Sequence, residues 1–253
     1  MNAIIIAAGS GKRISKDVKS TPKSLINVNG KPIINYQIEI LRELGIQDII
    51  VITGKFNDKF DIKNINYVHD TKHEQHDILG SLMEARKFLK NDVLVMYSDI
   101  IFESKIIEQI LNVNSDISLA IDLDWEKNYV NRSDHPKSEA ENVLLDSNNN
   151  ILQIKKNIQN EKSKIGEFLG IIKFSNHGCE IFLKKYDDAL KKNYTSFHDS
   201  TSISKAYLTD MIQELIDCKV EVNSIFISGK WCEIDTLQDL KNAEKKFSDY
   251  SLE

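Results

Sequence analysis

An uninterrupted apolar run near the start of the chain constrains the fold more than any other feature. Residues 3–8 read AIIIAA, and the turn Gly9-Ser10-Gly11 follows at once. An apolar run of strand length that contains β-branched residues and stops at glycine is typical of a strand buried on both faces. Such strands belong to parallel sheets covered by helices, so the rest of the chain must supply more buried strands and the helices that connect them.

The first half of the chain has this alternation. After the first strand, the pattern predicts a helix at 32–44, strands at 48–54 and 65–68, a helix at 78–89, a strand at 92–99, a helix at 103–111 and a strand at 116–122. The order β-α-β-β-α-β is typical of an open, mostly parallel sheet, so the predicted fold class is α/β.

The second half of the chain changes character. Residues 124–166 are polar, and the segment LLDSNNNILQI predicts an antiparallel hairpin around Asn148 to Asn150. The remaining predicted elements are helices at 176–192 and 203–217, a strand at 221–227 and a capped helix from Thr236. We therefore predict a single domain over residues 1–253, with a small antiparallel insertion around 124–170.

Charge and cysteine content exclude several classes of protein. The chain has 253 residues, of which 33 are basic and 38 acidic, and its net charge is −5. This balance does not suit a general nucleic-acid or membrane binder, so any anion site must be local. Cys179, Cys218 and Cys232 have no C-x-x-C spacing, and an odd number argues against a disulfide framework. No apolar stretch is long enough for a signal peptide or a membrane span, so we expect a cytoplasmic protein.

The turn after the first strand indicates a phosphate site. Backbone N–H groups at the carboxyl end of a parallel strand can approach a pyrophosphate where glycines leave room. The dinucleotide-binding pattern G-x-G-x-x-G does not fit, because Ile14 stands at its third glycine. A P-loop does not fit either, because Ile6 and Arg13 stand where it requires glycine and Ser or Thr.

What remains is G-x-G-x-R, ending at Arg13, followed by P-K-x-L at Pro22, Lys23 and Leu25. Here the sequence resembles the nucleotidyltransferases that join a nucleotide to a phosphorylated small molecule, namely sugar-nucleotide pyrophosphorylases and phosphocholine or phosphonate cytidylyltransferases. The resemblance extends to GSL at 80–82, YSD at 97–99, GEFLGIIKFS at 166–175 and WCEIDTLQDL at 231–240. It implies a Rossmann-like nucleotidyltransferase fold, with a mixed, mostly parallel central sheet flanked by helices.

The chemistry of this family requires cations, because a phosphate dianion must approach the α-phosphorus of a triphosphate. The fixed fork of donors on Arg13 suits the β- and γ-phosphates, and Lys23 is the candidate for bridging the α-phosphate and the attacking group. We predict these two residues as catalytic. The resemblance implies that the nucleotide is bound by Ala7, Ala8, Gly9, Ser10, Gly11, Lys12, Gly80 and Ser81.

Two distant aspartates are the candidate metal ligands. Asp99 ends a buried strand, and Asp235 precedes the helix that begins at Thr236. The resemblance implies that the pair coordinates Mg²⁺, which prefers hard carboxylate oxygens. A turn-forming role for Asp99 and a helix-capping role for Asp235 are the alternatives. A glycosyltransferase is disfavoured, because Tyr97 and Ile101 stand where an Asp-x-Asp pair would need a second carboxylate.

The resemblance also implies an acceptor site in the insertion around 124–170 and the elements after it. Arg132 and Lys155 would bind the acceptor phosphate, and Glu167 or Asp210 would meet an acceptor ammonium. Each of these residue types is also common on ordinary surfaces. His73 and His76 are three residues apart, but no cysteine lies near them, so a zinc site is not favoured.

The predicted function is that of a Mg²⁺-dependent cytidylyltransferase. It would join CTP to a small phosphorylated acceptor, such as a phosphoglutamine, phosphonate or phosphocholine, with release of pyrophosphate, for capsule or surface-polysaccharide decoration. Cytidine is favoured over uridine because the C-terminal part and the GEFLG segment look most like the phosphonate and phosphocholine branch. The alternatives are a sugar-1-phosphate uridylyl- or thymidylyltransferase and a non-catalytic nucleotide-binding regulator. The family analogy also admits a homodimer.

Overall fold

The computed structural model of the protein describes residues 1–9, 21–159, 163–192 and 194–250. Within them the strands are β1 (Asn2–Ala7), β2 (Asn27–Val28), β3 (Lys31–Pro32), β4 (Asp48–Thr53), β5 (Asn66–His69), β6 (Val93–Tyr97), β7 (Ile100–Phe102), β8 (Ile117–Asp122), β9 (Glu141–Leu145), β10 (Ile151–Lys156), β11 (Lys164–Phe174), β12 (Asn223–Phe226) and β13 (Trp231–Glu233). The α-helices are α1 (Ile33–Glu43), α2 (Ile78–Glu84), α3 (Ser104–Leu111), α4 (Asn176–Lys191), α5 (Leu208–Asp217) and α6 (Leu237–Lys246).

Nine of the strands in the described residues form one mixed sheet. Its main order is β10-β9-β11-β6-β1-β4-β5, with β8 beside β11 and β12 beside β8. Strand β1 pairs in parallel with β4 and β6, and β5 extends this parallel part. Strand β11 pairs antiparallel with β6, β8 and β9. The predicted mixed α/β fold is confirmed, and its antiparallel part is larger than the predicted hairpin alone because the long strand β11 joins the two parts.

The first strand is buried on both faces, as its composition predicts. Ile4 and Ile6 pack into one hydrophobic cluster, whereas Ala3, Ile5 and Ala7 pack into another on the opposite face. This alternation follows from the two-residue period of a strand. Helices and loops therefore cover both faces of the central sheet, and its strand ends are the places left for a ligand.

Some elements begin or end at residues other than those predicted, because local hydrogen bonds set their boundaries. Helix α5 begins at Leu208 rather than at 203, because Asp210 accepts the N–H of Tyr207 and closes a capping box. The β9–β10 hairpin is confirmed, and Asp146 stabilises its turn by accepting the N–H groups of Asn148 and Asn150 at 2.8 Å each.

Among the described residues, none of the helices has the length and apolar character needed to cross a bilayer.

A small antiparallel sheet brings a late segment of the chain to the centre of the fold. Strand β13 pairs with β7, so that Glu233 lies opposite Ile100. The N–H of Ile234 then donates to the carbonyl oxygen of Asp99 at 2.9 Å. This pairing was not predicted, because strands of three residues leave almost no periodic signal. It places the segment after β13 beside the end of β6.

We predict that Gly178→Ala destabilises the protein. Ser175 caps helix α4 by accepting the N–H of Gly178 at 3.0 Å, and a Cβ at Gly178 would overlap the carbonyl oxygen of Asp116. Glycine to alanine normally stabilises a helix by about 1 kcal/mol. Here we expect the overlap to lower the free energy of unfolding by about 1–3 kcal/mol in urea denaturation.

The control is His177→Ala at the neighbouring exposed position of the same helix. It should change the free energy of unfolding by no more than about 0.5 kcal/mol. A Gly178→Ala protein as stable as the wild type would show that Gly178 does not pack closely against the carbonyl oxygen of Asp116.

Candidate functional site

A cavity of about 360 Å³ lies at the carboxyl ends of the central strands. Its middle is formed by the end of β1 and by the segment from Tyr97 to Ile100 after β6. One side comes from the loop between β5 and α2, and the other side comes from β9, β10 and β11. This is the position at which an open α/β sheet binds its ligands.

Lys23 lies between two carboxylates at the middle of the cavity. Its Nζ donates to Asp99 Oδ2 at 2.6 Å and to Oδ1 of Asp235. The side chain is 13% exposed. Burial alone would lower the pKa of Lys23, but the charges of Asp99 and Asp235 outweigh it and raise the pKa, so the ammonium stays charged.

Two further groups complete this cluster. His135 contacts Asp235 Oδ2 through Nδ1 at 2.9 Å, and its Nε2 lies 3.6 Å from Glu233 Oε2. Burial, together with the negative charges of Asp235 and Asp99, raises the pKa of Glu233. The three carboxyl groups are thus compensated by Lys23, by His135 and by a buried arginine, Arg132, whose Nη2 lies 3.3 Å from Glu233.

A hydrogen-bonded network lies on the β5 side of the cavity. Asp70 is fully buried, and its Oδ2 accepts from Ser81 Oγ and contacts His76 Nε2, both at 2.7 Å. A Cβ at Gly80 would overlap the ring of His76. The small residues of the GSL segment therefore have two local roles. Gly80 leaves room for the imidazole of His76, and Ser81 donates a hydrogen bond to Asp70.

Two glutamates, the half-buried Glu141 and the buried Glu167, lie on the opposite side. Glu141 accepts from Tyr97 Oη at 3.3 Å, and Glu167 accepts from Tyr129 Oη at 2.5 Å. Burial raises the pKa of Glu141 to about 8 and holds the pKa of Glu167 well above its usual range. Lys156 is also in this part of the cavity wall and pairs with Glu139 at 3.0 Å.

The structure brings many of the predicted residues together. Lys23, Asp99, Asp235, Ala8, Gly9, Ser81 and Glu167 all line the cavity. Ala7 is buried at the end of β1, and Gly80 lies behind His76. The remaining predicted catalytic and nucleotide-binding residues, namely Ser10, Gly11, Lys12 and Arg13, lie outside the described residues.

Three residues predicted to bind the acceptor, Arg132, Lys155 and Asp210, do not line this cavity. Lys155 and Asp210 line a separate depression between β10 and α5. Successive residues of a strand point to opposite faces, so Lys156 reaches the cavity and Lys155 does not. Asp210 is engaged in capping α5 and also accepts from Ser200 Oγ at 2.7 Å.

Arg132, the third of these residues, is bound within the protein. Its Nε donates to Asp239 at 2.5 Å, its Nη2 lies 3.3 Å from Glu233, and its guanidinium lies over the ring of Tyr129. Its side chain is 6% exposed. Arg132 therefore connects the insertion to α6 rather than presenting a free guanidinium to a ligand.

Residues 3–128 match the model of the MobA-like NTP transferase domain. The chain belongs to the nucleotidyltransferase family. Over 254 residues it is 28% identical to a CTP:phosphoglutamine cytidylyltransferase of Campylobacter jejuni, covering 95% of this chain and 98% of that protein. It is also 38% identical to a choline-phosphate cytidylyltransferase of Streptococcus pneumoniae over 108 residues, 41% of this chain and 47% of that protein.

Solved structures support the same fold. The CTP:phosphocholine cytidylyltransferase of Streptococcus pneumoniae superposes with a TM-score of 0.74 at 24% identity, covering 97% of this chain and 98% of that one. The predicted family and the predicted enzyme class are therefore confirmed.

The sequence interpretation missed several groups that line or border this cavity. Glu233 had a signal, because it lies two residues before Asp235 in the WCEID segment and alternate residues of a strand share a face. His135 and Glu141 had none, since each lies in a polar stretch and reaches the cavity only through tertiary folding. Asp70 and His76 belong to a loop that a helix and strand pattern does not describe.

The cluster at Lys23 fits a divalent cation. Ligand atoms of His135, Glu233 and Asp235 lie within 4.8 Å of one another. Asp99 Oδ1 is buried and has no hydrogen-bond partner among the described residues. A buried carboxylate oxygen without a partner is costly, and a hard cation is the group that such oxygens bind.

We predict that Glu141→Gln changes the pH dependence of stability. The carboxyl has an ordinary pKa of 4.5 and a folded-state pKa of about 8. Between these values the folded protein holds a proton that the unfolded chain has lost, so the free energy of unfolding falls as pH rises. The fall is at most about 1.4 kcal/mol per pH unit and ends above the folded pKa.

Glutamine cannot titrate but keeps a carbonyl that accepts from Tyr97 Oη. In urea denaturation from pH 5 to 9, the stability of the variant relative to the wild type should therefore rise with pH and level off near pH 8. A constant difference over this range would contradict a buried, protonated Glu141.

Proposed function

We propose that this nucleotidyltransferase is a Mg²⁺-dependent cytidylyltransferase. It transfers the CMP group of CTP to the phosphate or phosphonate of a small acceptor and releases pyrophosphate. The observation that carries the proposal is Lys23, which bonds both Asp99, just after the central strand β6, and Asp235, just after β13. CTP is favoured because the two relatives described above are named as cytidylyltransferases.

The reaction needs no covalent enzyme intermediate. An acceptor oxygen forms a bond to the α-phosphorus of CTP, and the bond from that phosphorus to the bridging oxygen of pyrophosphate breaks. The ammonium of Lys23 offsets the repulsion between the two anions, and Arg13 would bind the departing pyrophosphate. Asp99, Asp235 and Glu233 would hold the magnesium ion, which when bound neutralises triphosphate charge and polarises the α-phosphate.

The acidic side of the cavity favours an acceptor that carries an amine. Glu167 is buried and Glu141 half-buried, both have raised pKa values, and Glu167 Oε2 has no hydrogen-bond partner in the described part of the chain. A cationic amine beside them would lower these pKa values and pair with the ionised carboxylates, whereas the hydroxyls of a sugar phosphate give weaker compensation. This supports a phosphoglutamine-, phosphonate- or phosphocholine-like acceptor over a sugar-1-phosphate. The capsule role, the cytoplasmic location and the homodimer stay predictions.

The test of this function is pyrophosphate release by the purified protein. Each of ATP, GTP, CTP, UTP and dTTP would be combined, with Mg²⁺, with phosphocholine, phosphoglutamine, 2-aminoethylphosphonate or glucose-1-phosphate. We expect release with CTP and an amine-bearing acceptor. Release with UTP or dTTP and glucose-1-phosphate would establish the sugar-nucleotide alternative, and nucleotide binding with no release would establish the regulator.

We predict that Lys23→Met lowers kcat/KM by about a hundredfold to a thousandfold, because it removes a preorganised cation from the reacting phosphates. The exposed carboxylate of Asp124, which is 75% exposed and pairs with Lys127 at the surface, gives the control variant Asp124→Asn. That control should keep the wild-type kcat/KM. Wild-type kcat/KM in Lys23→Met would show that Lys23 takes no part in the reaction.

We predict that Asp235→Asn abolishes turnover and also removes the effect of Mg²⁺ on the thermal midpoint. A cation that binds only the folded state raises this midpoint, and loss of a ligand should remove the rise without unfolding the protein. Thermal melts with and without Mg²⁺, in the absence of nucleotide, measure this independently of activity. An unchanged Mg²⁺-dependent rise would place the ion elsewhere.

A further inference from the structure

Helix α1 carries a polar side chain on its buried face. Ile34 and Leu41 of this face pack into the hydrophobic cluster that also contains Ala3 and Ile5 of β1. Gln37 lies between them at helical spacing and is fully buried. Glutamine is seldom fully buried in proteins, because each polar atom taken out of water needs a partner. A side chain that only packed here would be apolar, so the amide of Gln37 indicates a polar role.

The amide of Gln37 holds the turn that carries Asp99. Strand β6 ends at Tyr97 and β7 begins at Ile100, so Ser98 and Asp99 form the whole connection. Gln37 Nε2 donates to the carbonyl oxygen of Tyr97 at 2.9 Å and to that of Ile100 at 2.8 Å. Both partners are carbonyl oxygens, which only accept, so the amide nitrogen is the atom that faces them. One side chain thus bonds the main chain on each side of the turn.

A second element holds the main chain of Asp99 itself. The N–H of Ile234 donates to the carbonyl oxygen of Asp99 at 2.9 Å, and Asp235, the other candidate metal ligand, is the next residue along the chain. Gln37 from α1 and Ile234 from the segment after β13 therefore hold the turn together. Their hydrogen bonds constrain the distance between the two aspartates, whose carboxylates both contact Lys23.

Gln37 acts on the site through the main chain. It is not among the described residues that line the cavity, whereas Tyr97, Ser98, Asp99 and Ile100 all line it. Its other polar atom, Oε1, is buried and has no hydrogen-bond partner in the described part of the chain. A buried oxygen without a partner is costly for folding. The side chain therefore bonds the two carbonyl groups of the turn at a cost of its own.

We propose that Gln37 is a positioning residue for nucleotidyl transfer: its amide fixes the turn between β6 and β7 and thereby holds the carboxylate of Asp99 where it binds the same Mg²⁺ as Asp235. The proposal rests on the proposed function, in which these two aspartates are metal ligands. The groups of a catalytic site must be held within about 0.5 Å of their productive positions. Loss of a group that orients a metal ligand typically lowers metal affinity or activity by about ten- to a hundredfold.

The test uses Gln37→Met, which keeps an unbranched side chain of similar length and removes both donors. The dissociation constant of Mg²⁺ is measured on the whole protein without nucleotide, from the thermal midpoint at increasing Mg²⁺ concentration. We expect this constant to rise about ten- to a hundredfold. With CTP and the acceptor that supports pyrophosphate release in the wild type, we expect kcat to fall by a similar factor. The KM for CTP at saturating Mg²⁺ should stay within about threefold, because Gln37 does not line the cavity.

The matched control is Asn2→Leu. Asn2 is also a buried side-chain amide that donates to a main-chain carbonyl oxygen, that of Phe88 at 3.0 Å, but it lies at the amino end of β1, away from the cavity. Its loss should lower the thermal midpoint, because a carbonyl group loses its donor, as in Gln37→Met. It should leave the Mg²⁺ dissociation constant and kcat unchanged. The comparison therefore separates a loss of stability from a loss of positioning.

Gln37→Asn is the milder variant, because it keeps a donating amide on a side chain that is one carbon shorter. We expect the shorter amide to reach one carbonyl oxygen of the turn rather than both. The Mg²⁺ dissociation constant should therefore rise by a smaller factor than in Gln37→Met.

The outcomes separate this proposal from the proposed function. If Gln37→Met keeps the Mg²⁺ affinity and kcat of Asn2→Leu, Gln37 only stabilises the fold, and the positioning role is overturned while pyrophosphate release by the wild type still supports the proposed function. Unfolding of both Gln37 variants under conditions in which Asn2→Leu stays folded would overturn it too, since Gln37 would then be needed for folding itself. Absence of any Mg²⁺ effect in the wild type, on the thermal midpoint and on pyrophosphate release, would overturn both.

Discussion

The ion cluster of Lys23, Asp99 and Asp235 is the interaction on which the site depends. Its members come from three distant parts of the chain, and the cluster forms only because β13 pairs with β7 and delivers Asp235 beside the end of β6. With Glu233 beside them, three carboxyl groups are buried close together, which is unfavourable unless positive charge compensates them. Lys23 and Arg132 supply much of this compensation, but Asp99 Oδ1 is buried without a partner among the described residues.

The carboxyl groups on the two sides of the cavity are stabilised in different ways. On the β5 side, Asp70 accepts hydrogen bonds from three partners and is fully satisfied, which gives a rigid surface. On the opposite side, burial raises the pKa values of Glu141 and Glu167, and Glu167 keeps an oxygen without a partner among the described residues. The β5 side is therefore a rigid wall, whereas the side with Glu141 and Glu167 can compensate a positive charge on a ligand.

The sequence predicted the parallel centre of the fold well, because buried strands such as β1 and β6 are long, apolar and bounded by clear turn residues. It also singled out Lys23, Asp99 and Asp235, which the fold brings into contact with one another. It missed the β7–β13 pairing, the long strand β11 and the participation of His135, since these depend on contacts between distant segments. Lys155 was predicted for the acceptor, whereas Lys156 lines the cavity, because in a strand one position decides which face a side chain occupies.

The β9–β10 hairpin is attached to the sheet through β11, at the far end from β4 and β5. The hairpin supplies Glu141 and Lys156 to the cavity. It takes no part in the β7–β13 pairing that brings Asp235 beside Asp99 and Lys23. Substitutions on this hairpin can therefore change one wall of the cavity without disturbing the contacts of Lys23, Asp99 and Asp235. Because separate strand pairings hold the two parts, one can vary in sequence while the other stays fixed.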